Sequence, residues 1–282
     1  MDWRIKCLAL HALRYAPYSA HAFLQRKVTG RYYFDLKDEE FRAYNFHVDN
    51  FRRLPAGSRV IEFGAGSNLL VPLMLSAAGA TEIFTYDVQR IATVDQVNHV
   101  IRQLNTRIPG DWQDIADLDQ DLLRKYCIRY SAPGDARYTG LPKQSVDFFC
   151  STSTLEHIPP LEIASILSEC RRIATPNALF SFVIDYHDHY ATADPRISRF
   201  NFYRYSERAW RWFNPSNHYQ NRLRHSDYID IFKTHLLDTM VGRCVSVSNS
   251  EIEGLPLSSR FQGYSTDDLV SLNGLFLLKC KA

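Results

Sequence analysis

The run Gly64-Ala65-Gly66-Ser67-Asn68 directly follows an apolar stretch, Arg59-Val60-Ile61-Glu62-Phe63. Glycines at 64 and 66 let the backbone turn tightly and approach a ligand closely. A helix starting just beyond them would present free N–H groups and a positive dipole end to an anionic group. Glu62 is the one acid in its apolar run, and a buried carboxylate needs a partner. Asp87-Val88 closes the next apolar run, where an acid can accept from both hydroxyls of a ribose. Asp135-Ala136 follows a third run, where an acid can accept from an exocyclic amine. Ser151-Thr152 follows a fourth.

A second set of residues can move protons. His157 comes soon after the fourth run, and His187 and His189 follow the fifth, with Asp185 beside them. Imidazole titrates near neutrality, so each can act as a general base. His187 and His157 rank first and His189 next. Asp185 can orient the base or replace it. His218 and His225 lie further along. No histidine or cysteine pair has zinc-ligand spacing, and no metal is expected.

These residues need a scaffold that brings segment ends together. Residues 36–54 read as a helix, and 59–63 as a buried strand before the glycine turn. Leu69 to Ala78 is apolar on nearly all sides, and Gly79 closes it as a buried helix. Strands follow at 82–86, 127–130, 146–150 and 179–184. Helical patterns occupy 92–125, broken at Pro109-Gly110, and 161–174, closed by Pro176-Asn177. A helix over 226–238 with Ser226 as its cap, and strands at 241–247 and 272–279, complete the chain. This alternation predicts βαβ units, a parallel sheet and right-handed crossovers.

The bulk numbers suit such a fold. Hydrophobic residues are 45% and charged residues 23%, which excludes extended disorder. A net charge of +2 gives no general affinity for nucleic acid. Six cysteines without C-x-x-C spacing read as reduced thiols in a cytoplasmic protein. The first 31 residues carry Arg4, Lys6, Arg14, Arg26, Lys27 and Arg31 against Asp2, and Pro17 interrupts them. They are too charged to span a membrane. The expected arrangement is a helix packed on the main domain, and a basic amphipathic helix at the inner membrane face is the other.

Gly-Ala-Gly alone fits NAD, FAD and S-adenosylmethionine (SAM) sheets alike. The order Glu62-Phe63-Gly64-Ala65-Gly66, Asp87, Asp135-Ala136, then Leu141-Pro142, Val146-Asp147-Phe148 and Leu155-Glu156-His157 resembles the class I SAM-dependent methyltransferases. The resemblance covers roughly residues 55–185 and the two closing strands. It implies an α/β fold: a Rossmann-like, seven-stranded, mostly parallel sheet with helices on both faces. It also implies SAM as cofactor, its methionine portion, ribose and adenine held in turn by the acidic positions. The cofactor set is Glu62, Gly64, Ala65, Gly66, Ser67, Asn68, Asp87, Val88, Asp135, Ala136, Ser151 and Thr152. Asn68 stands where many members have a third glycine, and the stretch from Asp87 to Asp135 is long. The division expected is an N-terminal helical extension, 1–54, and a methyltransferase domain, 55–282.

Residues 186–224 form an insertion after the fifth strand, with ten aromatics and seven arginines against three acids. Aromatic faces beside guanidinium forks suit sugars, carboxylates or phosphates. The expected substrate contacts are Tyr186, Arg199, Tyr203, Arg204, Trp210, His218, Tyr219 and Arg222. The other reading is a structural cap whose aromatics form their own core. The segments 199–205 and 218–225, with Phe23-Leu24-Gln25-Arg26-Lys27-Val28-Thr29-Gly30, resemble bacterial methyltransferases of surface-glycan and natural-product assembly. That likeness implies O-methylation of a sugar or small natural product, with a small-molecule or glycan partner and no nucleic acid. The alternatives are carboxyl- or N-methylation of a peptide-like product, or a SAM-binding partner protein without turnover.

Overall fold

The computed structural model describes residues 1–13, 35–235 and 237–281. The readings on Arg14, Pro17, Phe23 to Gly30 and Arg31 fall outside the described residues. A seven-stranded sheet forms the centre: β1 (Arg59–Phe63), β2 (Glu82–Tyr86), β3 (Ile128–Ser131), β4 (Val146–Thr152), β5 (Ala174–Asp185), β6 (Leu237–Ser246) and β7 (Ser271–Cys280). Their spatial order is β3-β2-β1-β4-β5-β7-β6. The first five strands pair in parallel, and β7 runs antiparallel to both β5 and β6. The order reverses between β1 and β4. In open α/β sheets the crevice at that reversal, beyond the strands' carboxyl ends, is where ligands bind.

Helices cover both faces. One face carries α2 (Asp38–Phe51), α3 (Leu70–Ala77), α4 (Val94–Asn105) and α5 (Gln120–Tyr126). The other carries α6 (Pro160–Ile173) and α8 (His225–Thr234). Local chemistry sets several boundaries. Thr93 caps α4 by accepting from Gln96 N–H, and Pro160 opens α6 at a position where no backbone donor is needed. Gly79, at φ +99, leaves α3 through the left-handed region.

Three expectations need correction. The pattern over 92–125 is two helices, α4 and α5, separated by 14 residues of turn and coil. Strand β5 begins at Ala174, immediately after α6, and runs through Pro176 and Asn177. Its N-terminal end pairs with β4 only at Ala174 before Leu179, so Pro176 sits where few ladder bonds are demanded. The cap of α8 is Arg224, not Ser226: Asp227 turns back to accept from the Arg224 backbone N–H.

The insertion has its own interior. Tyr190, Phe200, Phe202, Tyr203 and Trp210 join Phe261 and Leu269 in a third apolar cluster. Helix α7 (Glu207–Phe213) belongs to it, capped by Ser206. So does α1 (Trp3–Leu13), whose Trp3 ring lies 5.4 Å from Tyr190 and 5.0 Å from Phe213. The opposite side of α1 exposes Ile5 and Leu8. Among the described residues no helix is long and apolar enough to cross a membrane.

Candidate active site

The glycine turn sits at the strand-order reversal. Gly64 and Gly66 have φ of +80 and +68, as the tight turn requires. A Cβ on Gly66 would meet nothing within 4 Å, so its backbone is open to a ligand. Gly64 N–H donates to Tyr86 O, and Gly66 N–H donates to Asp87 Oδ2 at 3.1 Å. The Gln89 N–H donates to the other Asp87 oxygen. Asp87 is therefore fixed at the tip of β2. Burial raises its pKa, and the two backbone donors pull it back.

Glu62 is 3% exposed, and its Oε2 has no hydrogen-bond partner. Burial, then the charge of Asp87, raises its pKa well above the ordinary carboxylate range. An orphaned buried acceptor beside an open turn is what a cationic group on a ligand would satisfy. Asn68 Oδ1 accepts from Leu70 N–H at the start of α3, so its side chain serves the helix end. Ser151 Oγ donates to Phe63 O and ties β4 to β1. Ala65 and Ala136 are buried, Ser67 is half-buried, and Val88 is exposed.

Asp135 departs from expectation. Arg137 grips its carboxylate through the Nε–Nη2 edge of its guanidinium, at 2.7–3.0 Å. That contact lowers its pKa and occupies the oxygens assigned to an adenine amine.

His47 carried no motif in the sequence. It sits on α2, wholly buried, with Nδ1 on Ser181 Oγ and Nε2 on Thr152 Oγ1, both at 2.9 Å. Asn50 donates to the same Ser181 hydroxyl. Burial lowers the His47 pKa to about 3. The ring thus pins Thr152 at the end of β4. The only signal available was a lone histidine on an otherwise helical pattern, and its partners lie more than a hundred residues away.

Beyond β4 and β5 the histidines converge. His187 Nδ1 and Asp185 Oδ1 form a short hydrogen bond, and His187 N–H donates to the same oxygen. His189 Nε2 lies 3.5 Å from Asp185 Oδ2. Burial would raise the Asp185 pKa, but its contacts with His187 and His189 outweigh that and hold it low. The His189 ring is 4.8 Å from His157, 5.2 Å from His187 and 6.2 Å from His218. His157 and His218 both have lowered pKa values, His218 at about 3, chiefly through burial. His157 is the most open of the group and marks its rim.

Several residues expected to touch substrate are committed inside the insertion. Tyr203 Oη donates to Leu269 O, and Trp210 Nε1 donates to Gln220 O. Arg222, 2% exposed, donates to Phe202 O, Tyr205 O and Glu207. Tyr186 is buried, with its hydroxyl on His225 Nδ1. These groups fill a core and satisfy buried carbonyls, so they are not free to hold a ligand. Tyr219 contributes its carbonyl to His157 Nδ1. Arg199 and Arg204 are exposed.

Comparison with known proteins fits this geometry. A family described as a methyltransferase domain matches residues 62–182. Geranyl diphosphate C-methyltransferase from Streptomyces coelicolor A3(2), solved with Mg2+, geranyl diphosphate and S-adenosyl-L-homocysteine, has 13% identity and a TM-score of 0.53. That match covers 86% of this chain and 79% of the other. A geranyl diphosphate methyltransferase in complex with SAM has 12% identity and a TM-score of 0.53, covering 86% and 85%. The likeness to both is one of fold. No curated protein matches the chain. The orphaned Glu62 oxygen and the open Gly66 backbone are features that the aminoacyl tail of SAM would fit.

Proposed function

We propose that this SAM-dependent methyltransferase methylates a hydroxyl of a sugar or another small natural-product acceptor. The observation that carries this reading is the Asp185–His187 pair at the end of β5. SAM, when bound, supplies a methyl group made electrophilic by its sulfonium. Transfer to a hydroxyl needs in-line approach and removal of the hydroxyl proton. Asp185 fixes His187 with Nδ1 protonated, so Nε2, whose contact is the Thr192 hydroxyl at 3.4 Å, is the nitrogen that can accept a proton. His157 and His189 line the same mouth. Glu62, Gly64 to Asn68, Asp87 and Val88 hold the cofactor.

Carboxylate methylation would need no base and would need cations for the acceptor. The buried Arg222 and Arg224 do not supply them, which leaves exposed arginines such as Arg199 and Arg204 as the insertion's candidate cations. Arg224 is spent on Tyr186 O, Asp268 O and Ser271 O, and Arg222 on the bonds already described. Exposed Arg199 and Arg204 are the insertion's proposed acceptor contacts, and the cytoplasm is the proposed location.

The test incubates the purified protein with SAM and a panel of hydroxylated, carboxylated and amine acceptors. S-adenosylhomocysteine release and methylated product masses are measured. Turnover of a sugar or phenol that collapses in His187→Ala supports the reading. Turnover of carboxylates or amines alone sinks it.

A further inference from the structure

Glu156 stands on the turn Leu155–His157 after β4, is 2% exposed, and neither carboxylate oxygen has a hydrogen-bond partner. Burying an unpaired carboxylate is costly, and a cation bound to it removes the cost. His189 Nε2 is also buried without a hydrogen bond. His157 Nδ1 lies 2.8 Å from Tyr219 O. A carbonyl only accepts, so Nδ1 carries the proton and Nε2 keeps its lone pair. Metal-bound imidazoles are commonly oriented in this way, by a carbonyl on the far nitrogen.

One donor atom from each of Glu156, His157 and His189 lies within 4.8 Å of the others. We propose that these three residues bind one divalent first-row transition cation. Two imidazoles and a carboxylate favour ions such as Zn2+, Co2+ or Mn2+ over Mg2+ or Ca2+, which prefer all-oxygen shells. Three protein ligands leave coordination positions open, as in catalytic zinc sites. Exposed His157 at the rim gives the ion its entry.

A neighbouring group, Asp185, His187 and His189, is equally compact. It is the weaker choice, because Asp185 and His187 already satisfy each other. The Glu156 oxygens have no such partner, and His189 Nε2 has only the longer 3.5 Å contact with Asp185 Oδ2. The assignment does not depend on the identity of the methyl acceptor.

The experiment uses full-length protein with any affinity tag removed, stripped by a chelator and titrated with Co2+. About one ion per chain is expected, with visible absorption from imidazole coordination and displacement by Zn2+ but not by Mg2+. Glu156→Gln and His157→Ala should each weaken Co2+ by more than about tenfold, while His187→Ala retains it. Calorimetric binding of S-adenosylhomocysteine reports folding of each variant independently. His157→Ala carries the test where Glu156→Gln does not fold. The proposal is overturned if Co2+ affinity is unchanged in His157→Ala, or if His187→Ala loses the ion and Glu156→Gln keeps it.

Discussion

Gly64 and Thr154 meet across the point where the strand order reverses: a Cβ on Gly64 would lie 2.1 Å from Thr154 Oγ1 and 2.4 Å from its methyl group. The turn after β1 is therefore shaped from outside by the loop after β4. Gly64→Ala combines this clash with a positive φ, which alone costs about 1–3 kcal/mol. Thermal unfolding should show a drop, and calorimetry a weakened affinity for S-adenosylhomocysteine. Adding Thr154→Ala should recover part of both. No recovery would mean that the contact is not what excludes a side chain.

Asp87 takes two backbone N–H bonds and offers the remaining lone pairs to the crevice. Asp87→Asn should weaken S-adenosylhomocysteine by tenfold to a hundredfold, since hydrogen bonds to charged groups are worth about 1.5–3 kcal/mol. Asp135→Asn should have a much smaller effect, because Arg137 already holds that carboxylate. Equal losses in the two variants would reverse this ranking.

Asp185→Asn and His187→Ala should each lower kcat by about 10²–10⁴ with a hydroxyl acceptor, the usual worth of a positioned base. S-adenosylhomocysteine affinity should hold. An unchanged kcat in both variants would remove them from proton transfer.

His47 has a folded pKa near 3 against an ordinary value of 6.5. Between those values the unfolded chain binds a proton that the folded chain does not. This contribution to stability is present in full above pH 6.5 and is lost progressively as pH falls toward 3. The loss reaches about 2–3 kcal/mol by pH 4.5. His47→Gln lacks the titration, so its stability deficit relative to the parent chain should shrink as pH drops from 7 to 4.5. Chemical denaturation across that range checks it, and a constant deficit would contradict it.

Arg222 and Arg199 separate structure from recognition. Arg222→Ala removes a buried guanidinium with its bonds to the 202 and 205 carbonyls and its ion pair with Glu207, and should cost about 3 kcal/mol or more. Arg199→Ala should leave the unfolding temperature nearly unchanged, as exposed substitutions do, and act only on acceptor KM. A large stability loss in Arg199→Ala would refute the division.

The strand–turn–helix unit from Arg59 to Ala77 was readable because its signals are local: an apolar run, two glycines and an apolar helix. The succession of strands and helices along the chain followed from the same alternation, and the edges shifted by a few residues where Ala174 and Leu237 continue strands. The inward facing of Tyr203, Trp210 and Arg222 was not readable. The insertion has no steady period of 2 or 3.6, so an aromatic bound for a core and one bound for a ligand look alike. Glu156 lies within the recognisable run Leu155-Glu156-His157, but its isolation is a property of packing between distant segments. The pairing of His47 with Thr152 and Ser181 is non-local for the same reason.

Trp3 N–H reaches Asp194 Oδ2 across 191 positions of chain, and the Lys6 ammonium reaches His189 O. The opening helix therefore has a seat only after the insertion has been synthesised. During translation α1 must wait, with its aromatic and thiol side chains uncovered, while the whole parallel half of the sheet is made. Contacts of such sequence separation form late and slowly. The acceptor side of the molecule should accordingly be the last region to become ordered, and the first to suffer when a fusion partner is joined to the amino terminus.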